Sequence, residues 1–423
     1  MLKNRFLPIL LLFLFLACSG DDNTPIDGKP DNEDMPDTDP VIDAISGFTP
    51  CENGMAGVYP CNGYDFLGRI SLNELGGNTA NDVWGWTDST TGNEYAIMGL
   101  DNGTAFIDIT DTENLVYLGK LPTASVSDAW RDIKVFKDHA FIVADNGLGD
   151  DAHGMQVFDL TRLRDVTDPP LDFDADARYT GFGRAHNIVI NEDTGIAYVV
   201  GTNRGDAYNG GAHFIDINDP KNPIAAGGYA DNGYSHDAQV VTYNGPDADY
   251  SGKEIYIGAN ESQVIIADVT NKANPAGIST VNYPNTSYTH QGWFTDDQRY
   301  FILGDETDEI NFGFQSRTLV FDLSDLDNPI LHDTYLGSTS AIDHNGYVKG
   351  DAYYLANYTA GIRVLDISDI AGKSIVETGF FDTYINSDSP RFDGVWSVYP
   401  YFESGKILGS DINSGLFVIK KSE

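Results

Sequence analysis

Short apolar runs that end in an acidic residue recur along most of the chain. They read FIDI at residues 106–109, VFDL at 157–160, FIDI at 214–217, IADV at 266–269, VFDL at 320–323 and VLDI at 364–367. A seventh copy without an acid, LFVIKK, occupies residues 416–421. The acids lie 44 to 57 residues apart, and a repeat of this length is typical of β-propeller blades. Each of these aspartates is predicted to cap the turn that follows its strand.

A hairpin precedes each of these runs, and residues 288–306 show its pattern most clearly. Two apolar runs, 293–294 and 300–303, flank a polar turn at 295–299, which is typical of paired strands. Antiparallel pairing places the start of the first strand beside the end of the second. We therefore expect His290 to lie next to Asp305 and Glu306.

The number of hairpins predicts the number of blades. Seven hairpins and seven following strands indicate seven blades, and a propeller blade normally has four strands. No room remains for a fourth strand after residues 416–421, but an unassigned run, DFLGRISL at 65–72, resembles the outer run VYLGKL at 116–121. We predict an all-β fold, a seven-bladed β-propeller over residues 64–421. Its ring would be closed by this N-terminal strand, which leaves no open sheet edge.

The first residues of the chain have the features of export and membrane attachment. Lys3 and Arg5 precede an apolar run at 7–17, which is too short to span a bilayer and predicts a signal peptide over residues 1–17. The sequence FLAC resembles a lipobox, so Cys18 is predicted to carry a lipid; an ordinary signal peptide with a chance cysteine is the alternative. The following SGDD resembles the tag of lipoproteins on the outer face of the outer membrane in Bacteroidetes-type bacteria.

The segment between this anchor and the propeller is predicted to have two parts. Residues 18–48 are rich in Asp and Pro and poor in apolar groups, which predicts a disordered tether. Cys51 and Cys61 follow, and in an exported protein such a pair is expected to form a disulfide, which would close a loop at residues 49–63. This loop is expected to brace the point where the ring closes.

The charge of the chain limits its partners. There are 64 acidic and 25 basic residues, and the net charge is −39. Such a surface repels nucleic acid and anionic lipid head groups, and solubility is its simplest role. We expect a monomer that contacts the membrane only through the N-terminal lipid and meets an extracellular ligand or protein.

Four of the eight histidines fall at an equivalent position in successive hairpins. The first position of the inner strands reads Trp84, Arg131, His186, His236, His290, His344 and Trp396. The next position reads Asp132, Asn187, Asp237, Gln291 and Asn345 on blades two to six. Since the innermost strands line the axial channel of a propeller, these side chains are predicted to converge near one mouth. Asp145, Glu261, Asp305 and Glu306 leave their strands on the same face.

Three interpretations of this ring are open. Imidazoles beside carboxylates are the usual ligands of divalent transition metals, which makes His186, His236, His290 and His344 candidate metal ligands. A metal-free site for a small molecule would use Arg131, Asp132, Asn187, Asp237, Gln291 and Asn345. Within that set, the Arg131–Asp132 pair would either bind an anion through the guanidinium or form an internal salt bridge. In the third interpretation the ring is a polar structural lining.

A second candidate cation site lies in a hairpin turn of blade four. Asp247, Asp249 and Ser251 alternate before Gly252, and this pattern of oxygens resembles a calcium loop. Position twelve of the pattern is Gly258 rather than Glu, which excludes an EF-hand. A turn that simply needs glycine is the alternative.

Several strings together resemble those of one family of cell-surface proteins. They are DVWGW at 82–86, WRDIKV at 130–135, HGMQVFDL at 153–160, AHNIVI at 185–190, HDAQVV at 236–241 and THQGWF at 289–294. They are similar to the choice-of-anchor B family, which is built of LVIVD-type repeats. The resemblance implies a β-propeller held at the cell surface by the anchor that the host uses, here a lipid. It implies no activity and no catalytic residues.

These observations favour a binding protein. We expect an outer-membrane lipoprotein, exposed at the cell surface, whose propeller binds a partner or small ligand on its His-rich axial face. The alternative is a metal-dependent hydrolase or lyase at the axis, in which the metal supplies a Lewis acid or an activated water. Glu261, Asp305 or Glu306 would then be the general base. The chain has no convincing nucleophile elbow, phosphate loop or dinucleotide fingerprint, which favours the binding function.

Overall fold

Seven antiparallel sheets of four strands follow one another along the chain and form a seven-bladed β-propeller. The computed structural model describes residues 47–147 and 149–423. The predicted signal peptide, the lipidated Cys18 and the tether up to residue 46 lie outside the described residues. The prediction of the fold class is confirmed. Within the described ranges, no helix combines the length and the apolar character that crossing a membrane requires.

The strands of each blade run from the axial channel outward. Blade one contains Ala80–Thr87, Glu94–Leu100, Gly103–Asp108 and Val116–Pro122. Blade two contains Arg131–Phe136, His139–Ala144, Met155–Asp159 and Ala177–Tyr179. Blade three contains Asn187–Asn191, Ile196–Val200, Ala212–Asp216 and Ile224–Tyr229. Blade four contains Asp237–Thr242, Glu254–Ala259, Val264–Asp268 and Ala276–Val281. Blade five contains Thr289–Phe294, Tyr300–Asp305, Arg317–Asp322 and Ile330–Leu336. Blade six contains Gly346–Lys349, Ala352–Ala356, Ile362–Asp369 and Ser374–Phe381.

Blade seven is built from both ends of the propeller domain. Its inner three strands are Val395–Tyr399, Lys406–Asp411 and Gly415–Lys421, and its outer strand is Tyr64–Ile70. The outer strand pairs antiparallel with the last strand of the chain, with Phe66 opposite Ile419. The predicted closure of the ring is therefore confirmed, and the seventh sheet is completed by backbone hydrogen bonds between distant parts of the sequence.

The loop before the closing strand extends blade six. Cys51 and Cys61 are joined by a disulfide, and the short strands Met55–Ala56 and Tyr59–Asn62 form a hairpin inside the loop. The second of them pairs with the outer strand of blade six, where Cys61 lies opposite Phe381. The chain then enters the closing strand at Tyr64, so the disulfide loop lies between blade six and the closure of blade seven.

The remaining elements are short. They are the α-helices Leu72–Leu75 and Asp308–Phe312, the 3-10 helices Gly149–Asp151, Leu160–Asp165, Ala248–Tyr250 and Ile370–Gly372, and the strand Leu171–Asp172 on the outer edge of blade one. Adjacent blades pack through apolar and aromatic side chains, as where Phe106 of blade one stacks on Phe158 of blade two with ring centroids 4.3 Å apart. This packing covers the sheet faces that a single blade leaves open.

The aspartates at the ends of the third strands have the predicted role. In each case a carboxylate oxygen accepts a hydrogen bond from the backbone N–H two residues later, at 2.9–3.1 Å. The residues are Asp108, Asp159, Asp216, Asp268, Asp322 and Asp366. These bonds fix the backbone of the turn that follows each aspartate, which explains why an acid recurs there.

Candidate functional site: the axial histidine row

Four imidazoles from blades three to six stand side by side at one mouth of the axial channel. The ring centroids of His186 and His236 are 4.1 Å apart, and those of His236 and His290, and of His290 and His344, are 4.4 Å apart. Each side chain enters at the start of its inner strand: His186 and His236 immediately precede their strands, His290 is the second residue of its strand, and His344 lies two residues before its strand. Repetition of one strand register in four blades thus produces a continuous row of rings.

The row borders a small cavity at the axis. The centre of a water-sized sphere can occupy about 10 Å³ of it, and its walls include Trp130, Arg131 and Trp396 besides the four histidines. This volume holds about one water or one ion. The side chains are also well covered, since 7% of His236, 2% of His290 and 3% of His344 are exposed.

Trp84 does not belong to the mouth of the channel, so its predicted register is wrong. A bulge between Ala80 and Val83 shifts the inner strand of blade one. Asp82 accepts the backbone N–H of Ile133 in blade two, and Asp132 accepts that of Ile188 in blade three. The residue equivalent to Asp132 is therefore Asp82, rather than the residue that follows Trp84. Trp84 consequently lies deeper, with its ring 5.8 Å from Tyr347 and 5.1 Å from Tyr399.

The Nδ1 atoms of three of the four histidines are held by the protein. Nδ1 of His344 lies 2.5 Å from the carbonyl oxygen of Trp396, and Nδ1 of His236 lies 3.3 Å from the carbonyl oxygen of His290. Because a carbonyl can only accept, Nδ1 carries the proton in both rings. Nδ1 of His186 lies 3.1 Å from a carboxylate oxygen of Asp145. In a neutral ring with a protonated Nδ1, Nε2 presents a free lone pair.

Burial keeps the inner rings neutral. It lowers the pKa of His344 to about 3. It also lowers the pKa of His236 and of His290 well below the usual range, and the neighbouring imidazoles add to the effect. For His186, burial also opposes the charge, but the hydrogen bond to Asp145 and the charge of that carboxylate outweigh it and raise the pKa. The row therefore combines three imidazoles whose pKa is lowered with one, His186, whose pKa is raised.

Glu306 faces two of the neutral rings. Its Oε1 lies 3.6 Å from Nε2 of His344, and its Oε2 lies 3.7 Å from Nε2 of His290. The hydroxyl of Tyr358 donates to Oε1 at 3.0 Å and fixes the carboxylate, while burial raises the pKa of Glu306 to about 7. Among the described residues, His290, Glu306 and His344 form a group whose ligand atoms can all reach one ion.

The other two candidates for a general base have different contacts. Glu261 forms an ion pair with Arg204 at 2.6 Å. Asp305 accepts backbone N–H groups of Ser287 and Tyr288 at 2.8 and 2.6 Å, and a hydroxyl besides. As predicted, the hairpin brings Asp305 and Glu306 beside His290, but only Glu306 of the three candidates points its carboxylate at the imidazoles.

Arg131 and Asp132 do not form the internal salt bridge that their sequence suggests. The guanidinium of Arg131 donates to the carbonyl of Leu100 at 3.1 Å and to Nε2 of His153 at 2.9 Å. Asp132 instead pairs with Lys134 at 2.8 Å. Successive side chains on a strand point to opposite faces, so neighbours such as Arg131 and Asp132 diverge while Asp132 and Lys134 share one face.

Several residues of the predicted small-molecule set join the blades to one another. Asp132 accepts the backbone N–H of Ile188 at 2.7 Å. Gln291 accepts the N–H of Gly346 at 3.0 Å and donates to its carbonyl at 3.2 Å. Asp237 is buried and accepts the N–H of Ala238. Asn187 and Asn345 lie in the wall of the axial cavity, beside Arg131 and Asp132.

Two contributors to the channel were not singled out by the sequence patterns. Tyr358, from the loop after the second strand of blade six, orients Glu306 of blade five, and no spacing in the sequence connects them. Lys134 lies below the row, 2.8 Å from Asp132, 3.4 Å from Asp82 and 4.6 Å above the ring of Trp84. A lysine inside the apolar run of an inner strand was the signal that could have revealed it.

The predicted calcium loop takes a different shape. Asp247 begins the 3-10 helix Ala248–Tyr250 and accepts the N–H groups of Asp249 and Leu326 at 3.2 and 2.8 Å. The carboxylates that it approaches are Asp325 and Asp327 of blade five, rather than Asp249. This group is largely exposed and lies at the end of the hairpins opposite the histidine row.

The fold and the site define a seven-bladed β-propeller with a row of histidines at one mouth of its channel. No family model matches the chain, and no match was found among curated proteins. A computationally designed protein, Ika8, is 10% identical, with a TM-score of 0.47 over 81% of this chain and 83% of that one. A protein from Bacteroides uniformis ATCC 8492, provisionally described as a 6-phosphogluconolactonase, is 14% identical, with a TM-score of 0.49 over 82% of this chain and 96% of its own. Likeness at this level carries no information about function.

Proposed function

We propose that this protein is a cell-surface lipoprotein of the choice-of-anchor B type whose propeller binds a small ligand at the mouth of its axial channel. The observation that carries the proposal is the orientation of the histidine row. Nδ1 of His236 and of His344 is bound to backbone carbonyls of the neighbouring blades. The fold thereby holds the rings by one nitrogen and leaves the other nitrogen available to a ligand.

A polar structural lining explains this arrangement less well. A lining residue is stable when its buried polar atoms find partners in the protein or in water, and a buried group without one costs about 1–3 kcal/mol. Nδ1 of His290 is buried without a hydrogen-bond partner, and Nε2 of His290 and of His344 face the carboxylate of Glu306 at distances too long for hydrogen bonds. A ligand between these groups would satisfy all three at once.

The size and depth of the site favour a small ligand over a protein partner. The cavity admits about one water-sized particle, and His290 and His344 are almost fully covered. A macromolecule cannot contact these nitrogens without opening the mouth of the propeller. The ligand must therefore be an ion or a very small molecule.

The same geometry favours binding over the hydrolase or lyase alternative. Catalysis at a bound metal needs a base beside the reacting water. Of the three candidates, Glu261 is paired with Arg204 and Asp305 is held by backbone N–H groups. Glu306 faces the imidazoles themselves, where it would contact the ligand directly and could not serve as a free base.

The surface location rests on the N-terminal sequence. The lipobox-like FLAC ending at Cys18 and the acidic residues after it support attachment to the outer face of the outer membrane. A Cys18→Ser variant tests this: we expect loss of lipid labelling with radioactive palmitate and release of the protein from membranes. Digestion of intact cells with protease is expected to remove the wild-type domain. A wild-type protein that resists this digestion would contradict an outward orientation.

Native mass spectrometry of the full-length protein in detergent tests the binding function whatever the identity of the ligand. We expect the wild-type protein to carry additional mass relative to the denatured chain. His344→Asn is expected to lose it, because asparagine can keep the donor at the Nδ1 position but has no counterpart of Nε2. The matched control is His332→Gln, which alters a half-buried histidine of an outer strand.

Two results would overturn the proposal. One is a wild-type protein that has only the mass of the chain and whose melting temperature does not respond to divalent ions or small carboxylates. The other is an adduct that His344→Asn retains unchanged. Either result would make the row a structural lining of the channel.

A further inference from the structure

We infer that the axial ligand is a single divalent transition-metal ion, bound by Nε2 of His290, Nε2 of His344 and the carboxylate of Glu306. The inference rests on the proposed binding function and names the chemical class of the ligand and the atoms that hold it. It differs from a site made of the four histidines, because two of them are replaced by a carboxylate from the exit of the blade-five hairpin.

The distances fit an ion placed between the three groups. Nε2 of His344 and of His290 lie 3.6 and 3.7 Å from the two oxygens of Glu306. Ligand atoms around a tetrahedral ion with bonds of about 2.0–2.1 Å are about 3.3–3.4 Å apart. One ligand atom from each of the three groups lies within 4.8 Å of the others, so the side chains would move inward around the ion to reach that spacing. The same distances are too long for direct hydrogen bonds.

The tautomer of His344 leaves its Nε2 free to bind a ligand. Because Nδ1 of His344 donates to the carbonyl of Trp396, Nε2 of the neutral ring has no proton to give. An ionised Glu306 also only accepts. A cation placed between Nε2 of His344 and the carboxylate of Glu306 would bind a lone pair of each.

The surroundings of His344 and Glu306 resemble the outer shell of a metal site, whereas Nδ1 of His290 is buried without a hydrogen-bond partner. Ligating histidines usually donate their other N–H to a carbonyl or carboxylate, and ligating carboxylates are themselves hydrogen-bonded. Trp396 supplies the carbonyl for His344, and Tyr358 donates to Oε1 of Glu306 at 3.0 Å. Both partners come from outside blade five, so the assembled ring of blades orients the ligands before an ion arrives.

The ligand set selects the class of ion. Two imidazoles and one carboxylate suit zinc, iron(II), manganese or nickel, whereas calcium and magnesium favour sites made entirely of oxygens. Three protein ligands leave at least one position open. The cavity of about 10 Å³ beside the row is large enough for one water to fill it.

Titration of the metal-stripped full-length protein in detergent with zinc sulfate, followed by calorimetry, tests the inference. We expect one ion per chain, and Co²⁺ in its place should give the visible absorption of a low-symmetry site. His344→Asn and Glu306→Gln are each expected to weaken binding by at least about 100-fold, since each removes a ligand. Tyr358→Phe should keep the stoichiometry and weaken binding about 10- to 100-fold, the usual effect of losing an outer-shell partner.

Two controls separate this site from other places where ions could bind. His332→Gln removes an imidazole far from the row and should leave the affinity unchanged. Asp325→Asn with Asp327→Asn removes two exposed carboxylates at the opposite face and should also have no effect. If His344→Asn fails to fold, as judged by its melting curve, Glu306→Gln and Tyr358→Phe provide the same comparison.

The outcomes distinguish this inference from the proposed function. An organic adduct in the native mass spectrum would support ligand binding and overturn the metal. Zinc binding that is equally strong in His344→Asn and Glu306→Gln would place the ion elsewhere and overturn the assigned ligands. The absence of stoichiometric zinc or cobalt binding to a folded wild-type protein would overturn the inference as a whole.

Discussion

The guanidinium of Arg69 donates two hydrogen bonds to the backbone carbonyl of Ser414, from Nε at 3.1 Å and from Nη2 at 2.9 Å. The two residues are 345 positions apart in the sequence. Arg69 belongs to the closing strand Tyr64–Ile70, and Ser414 immediately precedes the last strand, Gly415–Lys421. The ring is thus joined by side-chain as well as backbone contacts between the two ends of the propeller domain.

Phe66→Ala is expected to destabilise the whole propeller. Phe66 is fully buried, with its ring 5.8 Å from that of Tyr59 and 6.4 Å from that of Phe417. Truncation of such a side chain costs about 3–5 kcal/mol, and its loss would loosen the contact that closes the ring. The free energy of unfolding, measured with urea, should fall by this amount.

An exposed position on a neighbouring outer strand provides the control for Phe66. Val376 is 54% exposed on the outer strand of blade six, so Val376→Ala should change the free energy of unfolding by no more than about 0.5 kcal/mol. Equal effects of the two substitutions would mean that the closing strand contributes little to holding the ring together.

The architecture could be predicted because each blade repeats local signals. An aspartate that caps a turn, as Asp108 and Asp216 do, marks the end of a third strand whatever surrounds the blade. The same argument located the closing strand, since residues 65–72 have the pattern of an outer strand and no hairpin of their own. Such features depend on neighbours in the sequence, and the sequence therefore reveals them.

The details of the site depend on contacts between blades, and these are not visible in the sequence. Tyr358 reaches Glu306 because blade six is rotated against blade five, and no spacing encodes that rotation. The register of Trp84 was missed because a bulge adds residues to one inner strand. The internal salt bridge between Arg131 and Asp132, one of the two roles expected for this pair, does not form because adjacent side chains on a strand diverge.

Lys134→Met is expected to be strongly destabilising. Lys134 is 5% exposed and is paired with Asp132 and Asp82 at 2.8 and 3.4 Å. Removing the ammonium would leave the buried carboxylate of Asp132 without a counter-charge, while burial raises the pKa of Asp82 well above its usual range. Breaking a buried ion pair in this way costs about 3–5 kcal/mol. Urea unfolding at pH 7 should show this loss.

The cause can be isolated by removing one of the two carboxylates as well. Lys134→Met combined with Asp132→Asn keeps an oxygen that can accept the N–H of Ile188 and eliminates one unpaired charge. We expect this double variant to be more stable than Lys134→Met alone. If the second substitution instead adds its own cost, the single variant is destabilised by lost packing rather than by unpaired charge.

The free energy of unfolding is expected to depend on the ionisation of Asp382. Burial, reinforced by Asp388, raises the pKa of Asp382 to about 7, from about 3.9 in an unfolded chain. The folded state therefore binds the proton more tightly. The contribution of protonated Asp382 to the free energy of unfolding is fully present below about pH 4 and is lost as the pH rises through about 7.

Asp382→Asn should remove this dependence. Between pH 5 and 7 the variant should show a smaller decline in the free energy of unfolding than the wild type, by up to about 1.4 kcal/mol per pH unit for one proton. Asparagine keeps an oxygen for the N–H of Tyr384, so the turn is preserved. Glu403→Gln, at an exposed carboxyl, is the control; parallel curves for Asp382→Asn and the wild type would rule out this role.

Replacing both cysteines of the loop before the closing strand should lower stability without changing the fold. The Cys51–Cys61 disulfide closes a loop of ten residues that holds the edge of blade six beside the closing strand, and the N–H of Cys51 donates to Asp65 at 2.8 Å. Loss of a cross-link of this length costs about 2–3 kcal/mol in the chain-entropy account.

Cys51→Ser with Cys61→Ser should therefore unfold at lower urea concentration, and a reducing agent should shift the wild type to the same midpoint. If the reducing agent also shifts the midpoint of the double variant, the effect of the agent arises outside this disulfide. If neither the substitutions nor the reducing agent shifts the midpoint, hydrogen bonding and packing alone hold the loop in place.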